Sequence, residues 1–339
     1  MADTRRRFLK TLAVSSVSPA LFDYARALPS SNQTRNSRQF RFVQIDVFTF
    51  QRLEGNPLSV FTDARGLSDS EMQGLARETN LQETTFVLPR ETGVEAREGV
   101  KVRIFTPDEE IPFGGHPTLG TATVLRTLRM GGRKKDTSAA SVVLDLKVGK
   151  VPVSFHENVD GLFGEMQQVS PVFGRVHERG TVAAVLGLDA DDIEPDAPIQ
   201  TVSTGLPFVI VPIKRLRTLQ HLHVAPQKAY ESLKQEEGLE LGDFYYVTRD
   251  TGDAKIGLRA RAIYPNGEDP ATGSAAGCTS AWMVKYRVVQ PDETVLIQQG
   301  VEVKRPSKLF VRSSKIGTSI SNVRVGGHAV QIMEGEASL

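Results

Sequence analysis

Residues 102–107, Val-Arg-Ile-Phe-Thr-Pro, are dense in branched and aromatic side chains and end at a proline, which predicts a short strand. Thr118 to Leu128 is small and aliphatic and predicts a helix. A polar Gly-Pro turn, Ile-Pro-Phe-Gly-Gly-His-Pro over 111–117, joins them. The same order returns over 257–283, where "GLRARAIYPNGEDPATGSAAGCTSAWM" again reads as strand, turn and small-residue helix. Gly-His-Pro-Thr-Leu-Gly-Thr-Ala aligns with Glu-Asp-Pro-Ala-Thr-Gly-Ser-Ala at an offset of 153 residues from Pro117 to Pro270, setting His116 against Asp269 and Thr121 against Ser274. Other pairs keep offsets between 150 and 160: "GNPLSVF" (55–61) with "GLPFVIV" (205–211), "LSDSEMQGLARE" (67–78) with "VAPQKAYESLKQE" (224–236), "ETTFVL" (83–88) with "DFYYVT" (243–248). The chain therefore reads as an internal duplication, with halves of roughly 41–170 and 199–335. A repeat this long is a duplicated domain and not a solenoid unit.

Each Gly-Pro turn carries chemistry as well as geometry. Glycines permit close backbone approach, Pro117 suits a first helical turn, and the free amides and dipole of a helix start attract a carboxylate. His116 stands at the mouth of one such start. A turn chosen for packing alone, with a satisfied histidine, is the bland alternative, as are two stacked domains with no shared site. Two like domains facing each other would instead bring both helix starts to one cleft, where ligands bind by default. No Gly-Lys-Ser/Thr follows the glycines, so this is not a Walker phosphate loop.

Composition narrows the function classes. At 339 residues, 40% hydrophobic and 24% charged, the chain has the length for two globular domains. Its formal net charge is +1; leaving out residues 1–27, with five Lys/Arg and two Asp, brings it to −2, so no basic surplus points to nucleic acid. No run of 18 apolar residues predicts a membrane span, and the single cysteine excludes an intrachain disulfide. "HLH" (221–223) is a weak metal signal that reads better as an exposed strand or loop, and no metal is expected.

The start of the chain stands apart. "TRRRFLK" (4–10), an apolar middle over 11–22 and Ala-Arg-Ala ending at Ala27 read as a twin-arginine export signal over 1–27, followed by a Ser/Asn/Gln-rich linker over 28–40. Export to the periplasm or beyond is the expectation if the signal works, and a cytoplasmic enzyme otherwise; a disordered basic tail is the alternative.

"DVFTFQRLEGNPLSVF", "LQETTFVL", "RIFTPDEEIPFGGHPTLGTA", "STGLPFVIVPI" and "EDPATGSAAG", in this order, resemble the signature set of the phenazine-biosynthesis PhzF-like isomerase family over essentially all of 41–339. The resemblance implies the diaminopimelate epimerase-like α/β (α+β) fold: two pseudo-symmetric domains, each a curved, mostly antiparallel sheet wrapped around a central helix. The domains would be 41–170 and 171–339, the last strand free to return to the first. It also implies no metal or organic cofactor and a homodimer. Carried over, it makes Glu83 the acid/base group and His116 and Asp269 a polar pair at the two helix starts. Ser274 becomes a substrate contact, Gly115 and Gly273 the glycines whose amides line the pocket, and Asn56 of "GNP" a ligand contact. The related epimerases use cysteines at the helix starts. Here Cys278 lies several residues into the second helix and reads as core.

The residue types fit that chemistry. Moving a proton along a carbon skeleton needs one group that is first base and then acid, in a dry pocket that raises its pKa. Glu83 can be that group; standing alone it would read as a solvated strand-end carboxylate. His116 and Asp269 are expected to pair across the cleft, with a small carboxylate held by the helix-start amides. An epimerase or racemase on the same fold, or a non-catalytic binding protein for a small molecule, are the alternatives.

Overall fold

The structure, a computed structural model, describes residues 37–130, 141–223, 231, 235, 243–264 and 267–339. The expected export signal, the linker up to residue 36 and the repeat segment 224–236 apart from Glu231 and Gln235 lie outside the described residues.

In the first half the strands are β1 (Gln39–Val47), β2 (Asn56–Phe61), β3 (Thr84–Leu88), β4 (Val100–Phe105), β5 (Glu110–Ile111), β6 (Ser141–Leu146), β7 (Gly149–Asn158) and β8 (Gly161–Gln167). The second half holds β9 (Val172–Val176), β10 (Gln200–Ser203), β11 (Pro207–Pro212), β12 (Asp243–Thr248), β13 (Leu258–Tyr264), β14 (Gly267–Asp269), β15 (Val295–Gln299) and β16 (Ser307–Ile316). The long β17 (Ser319–Ser338) pairs with β16, β8 and β1. The strand expected at 102–107 is β4, which starts two residues earlier and ends before Pro107. β1 begins at Gln39, so the linker stops short of residue 40.

The helices are α1 (Asp69–Thr79), α2 (Thr92–Glu98), α3 (Gly115–Met130), α4 (Arg179–Leu186), α5 (Leu216–Gln220) and α6 (Gly273–Lys285). In the first half β1, β2, β3, β4, β6, β7, β8 and the C-terminal part of β17 pair in sequence and close a ring around α3. In the second, β9 to β13, β15, β16 and β17 curve over α6, which is buried from Gly273 to Val284. A helix enclosed on all sides needs small side chains and satisfied hydroxyls. In α3 the hydroxyls of Thr118, Thr123 and Thr127 donate to the carbonyls of Gly114, Leu119 and Thr123, and in α6 Thr279 donates to that of Ala275.

The ladders fix how the halves correspond. Ile104 pairs with Ile111 and Phe105 with Glu110; Ala262 pairs with Asp269 and Ile263 with Glu268. Arg103 makes a two-pronged ion pair with Glu110, and Arg261 the same pair with Glu268. Every one of these positions is displaced by 158 residues, from Arg103 to Arg261 and from Glu110 to Glu268. At that offset Gly115, first residue of α3, matches Gly273, first residue of α6. This corrects the alignment at 153: His116 corresponds to Ser274, and Asp269 to Ile111. Pro117 sits inside the first turn of α3, whereas Pro270 precedes α6. The shared Pro and small residues matched in sequence, but the strand-to-helix geometry is in a different register.

Candidate active site

The two helix starts meet. A Cβ built on Gly115 would lie 2.5 Å from the Cα and carbonyl carbon of Gly273, and one on Gly273 would lie 3.0 Å from the Gly115 Cα. Only two residues without side chains allow that approach. A cavity of about 800 Å³ opens at this junction, lined by Gly114, Gly115 and His116 from one start and Thr272, Gly273 and Ser274 from the other. First-turn amides have no partner within their own helix, so two helix starts that meet suit a carboxylate.

Glu83, just ahead of β3, lines the same cavity, as does Asp269 at the end of β14. Glu83 Oε2 lies 3.3 Å from His116 Nε2, and neither atom has a hydrogen-bond partner among the described residues. Burial first, and the Asp269 charge second, hold Glu83 well above its ordinary 4.5. Asp269 is lifted to about 6 by burial, against the hydrogen bonds it accepts from Thr272, Ala271 and Asn56. His116, 3% exposed, is pushed down to about 3 by burial and is therefore neutral.

His116 and Asp269 do not pair with each other. Asn56 stands between them: its Nδ2 donates to Asp269 Oδ1 at 2.6 Å and lies 3.0 Å from both His116 Nδ1 and the Ala271 carbonyl. The tautomer in which Nδ1 accepts from Asn56 carries its proton on Nε2, the nitrogen 3.3 Å from Glu83 Oε2. Asn56 is 0% exposed and does not line the cavity, so the expected ligand contact is a strut joining the two halves. Behind Asp269 the strut continues: Thr272 Oγ1 donates to Asp269 Oδ2, Gln299 Nε2 donates to the Asp269 carbonyl, and Tyr245 donates to Gln299 Oε1.

Cys278 is fully buried in α6 beside Thr204, and burial pushes its thiol up to about 12. Cys278→Ala is expected to keep at least about half of wild-type turnover, since a thiol this far from ionising offers no base; a folded variant without activity would restore a thiol mechanism. His221 of "HLH" caps α5 with its Nδ1 2.7 Å from the Arg217 carbonyl, and Leu222 and His223 follow as loop, so of the expected strand or loop the motif is a loop. Among the cavity residues that sequence reasoning missed are Asp243 at the start of β12 and Tyr264 at the end of β13. The match of "ETTFVL" with "DFYYVT" already set Asp243 against Glu83 and was the signal available.

The sequence profile of the phenazine biosynthesis-like protein family, PhzC-PhzF, matches residues 45–335. The chain belongs to this family. Trans-2,3-dihydro-3-hydroxyanthranilate isomerase of Pseudomonas aeruginosa is 34% identical over 304 residues, covering 88% of this chain and 99% of that protein. An uncharacterized isomerase of Mesorhizobium japonicum is 32% identical, covering 90% and 99%. Among solved structures, a PhzF-family protein of Bacillus anthracis superimposes with a TM-score of 0.75 at 28% identity over 88% of this chain and 99% of that one. A hydroxyproline epimerase of Agrobacterium vitis, 12% identical with a TM-score of 0.58, covering 89% of this chain and 93% of that one, shares the fold. This PhzF-family chain is accordingly an isomerase with the diaminopimelate epimerase-like fold, and among its described residues no helix is long and apolar enough to cross a membrane.

Proposed function

We propose that this protein is a cofactor-independent isomerase that moves a proton on a small carboxylate, with Glu83 as the acid/base group. The observation that carries the reading is the pair of buried, unpartnered polar atoms, Glu83 Oε2 and His116 Nε2, beside two converging helix starts. The substrate carboxylate lies against the amides of Gly115 and Gly273 and the hydroxyl of Ser274. Glu83, ionised, removes a proton from a neighbouring carbon. Neutral His116 donates from Nε2 to the oxygen or nitrogen on which charge develops. Asp269 acts on Glu83 through its charge: two carboxyl groups in one dry cavity resist ionising together, which keeps Glu83 basic enough to take a carbon-bound proton. Trans-2,3-dihydro-3-hydroxyanthranilate, named for the Pseudomonas aeruginosa relative, is the first compound to assay. Conversion followed by proton NMR, undiminished by a chelator, supports the reading; no conversion of this or of other small unsaturated carboxylates removes it.

The two site-bearing halves are proposed as domains of 41–170 and 171–339 descended from one duplicated unit, and the working form as a homodimer. Export rests on Arg5, Arg6 and Arg7. Changing all three to lysine keeps the charge and is expected to leave the protein in the cytoplasm at full mass; unchanged export of that variant would refute a twin-arginine signal.

A further inference from the structure

The second half carries three hydrogen-bonding side chains where the first half has none. Arg259 matches Lys101 at the 158-residue offset that relates Arg103 to Arg261. Lys101 pairs with Asp145 and Arg259 with Gln298, so the next residues along, Leu146 and Gln299, are equivalent. At the same offset Asp269 and Thr272 stand where the first half has Ile111 and Gly114. The first half thus builds the turn ahead of its buried helix from Ile111, Gly114 and Leu146. What Asp269, Thr272 and Gln299 add is not needed to make such a turn.

Gln299 is fully buried and does not line the cavity. Its amide fits only one way round: Oε1 accepts from the Thr272 backbone amide at 3.1 Å and from the Tyr245 hydroxyl at 2.9 Å, and Nε2 donates to the Asp269 carbonyl at 2.7 Å. The same Nε2 lies 2.9 Å from Thr272 Oγ1, which therefore accepts. The hydrogen of the Thr272 hydroxyl is left for Asp269 Oδ2, 2.7 Å away. On the other side Asn56 Nδ2 donates to Asp269 Oδ1, and the Ala271 carbonyl 3.0 Å from that nitrogen marks it as the donor end of the amide. Both Asp269 oxygens are acceptors, as those of an ionised carboxylate are. The groups around it are Glu83 and Asp243 in the same cavity, neutral His116, the Tyr245 and Tyr264 phenols, and Glu268 beside it, which Arg261 holds. No cation faces Asp269 among them, so hydrogen bonds oppose the burial that favours the neutral acid.

We propose that Gln299 is a positioning residue: it turns the Thr272 hydroxyl toward Asp269, so that this carboxyl group stays charged inside the cavity. Thr272, in the cavity wall, carries the effect, and Tyr245 closes the far end of the chain. Its consequence for turnover rests on the reading given above, in which the Asp269 charge keeps Glu83 basic. Without the hydroxyl hydrogen bond Asp269 holds its proton up to a higher pH. Over that interval Glu83 lacks the neighbouring charge that lifts it, and ionises earlier.

The test follows the Asp269 carboxyl group in the free protein by carboxyl-13C aspartate labelling, its resonance being the one absent from Asp269→Asn. In wild type it should titrate at about 6. Gln299→Leu, which installs the residue of the first half, and Thr272→Val should each raise that midpoint by about one pH unit or more, the loss of one hydrogen bond to a charged group. The double variant should go no higher than the higher of the two, because Gln299 acts through that hydroxyl. Thr272→Ser, which keeps the hydroxyl, should titrate as wild type does. A Gln299→Leu midpoint within about 0.3 of wild type, or a double variant in which the two rises add, overturns the proposal. Should Gln299→Leu fail to fold, 15N-glutamine labelling decides: the Gln299 side-chain amide should shift as Asp269 titrates in wild type and lose most of that shift in Thr272→Val. An amide that ignores the titration, or follows it equally in both proteins, overturns the proposal. Kinetics with trans-2,3-dihydro-3-hydroxyanthranilate separate the two readings. The acid limb of kcat/KM should move to lower pH in Gln299→Leu; a limb that stays while the Asp269 midpoint rises supports the positioning by Gln299 and removes the influence of Asp269 on Glu83.

Discussion

Replacing Glu83 with glutamine is expected to lower turnover by about 10³-fold or more while leaving ligand affinity within a few-fold of wild type, because volume and one acceptor oxygen are kept and the base is lost. No neighbour can stand in for it. His116 is neutral with its Nδ1 occupied by Asn56, and both Asp269 oxygens accept hydrogen bonds from Asn56, Ala271 and Thr272. The pH profile of the wild type follows from the same geometry. Glu83 must be ionised to act, and burial and the Asp269 charge hold it above its ordinary 4.5. Activity therefore rises with pH, and the acid limb of kcat/KM lies well above 4.5. Steady-state kinetics and calorimetric titration of the variant check the first part. A Glu83→Gln enzyme within about tenfold of wild type would assign the chemistry elsewhere and leave Glu83 a structural role.

Gly115→Ala is expected to damage both fold and activity. The added methyl group would lie 2.5 Å from the Gly273 Cα and carbonyl carbon and the Ser274 nitrogen, all of them backbone at the start of a buried helix. No rotamer relieves such a contact, so α3 and α6 must move apart, at a cost of about 1–3 kcal/mol or more. The helix-start amides and Ser274 move with them, and a displacement of about 1 Å at a reacting centre costs on the order of 10²-fold in rate. Gly74→Ala is the matched control: it lies within α1, and its new methyl group meets nothing within 4 Å. That change is expected to stabilise the protein by about 0.5–1 kcal/mol without touching turnover. Thermal melts and kinetics of the two variants side by side test the assignment. A Gly115→Ala protein with wild-type melting and rate would show that the helix starts do not need their close contact.

Much of this protein was legible before its structure. The strand before the first turn, the small-residue helices and the existence of the repeat are local properties, carried by side-chain type and spacing over a dozen residues or fewer. The resemblance of its motifs placed Glu83, His116, Gly115, Gly273, Ser274 and Asp269 in one place, and all six line one cavity. What sequence alone left open was the contact geometry of residues 150 or more positions apart. The helices α3, from Gly115 to Leu125, and α6, from Gly273 to Val284, are buried on every side and lack a polar face to mark their phase, so Pro117 and Pro270 aligned by likeness at the wrong offset. Only the strand ladders and the paired arginines, Arg103 and Arg261, resolve it to 158. The resemblance makes Asn56 a ligand contact. Packing buries it completely, and its amide nitrogen meets His116 in one half and Asp269 in the other. Asp243 stood in the repeat opposite Glu83 from the start. That both carboxyl groups face one cavity was decided by tertiary structure, through the contact of two glycines that brings the halves together.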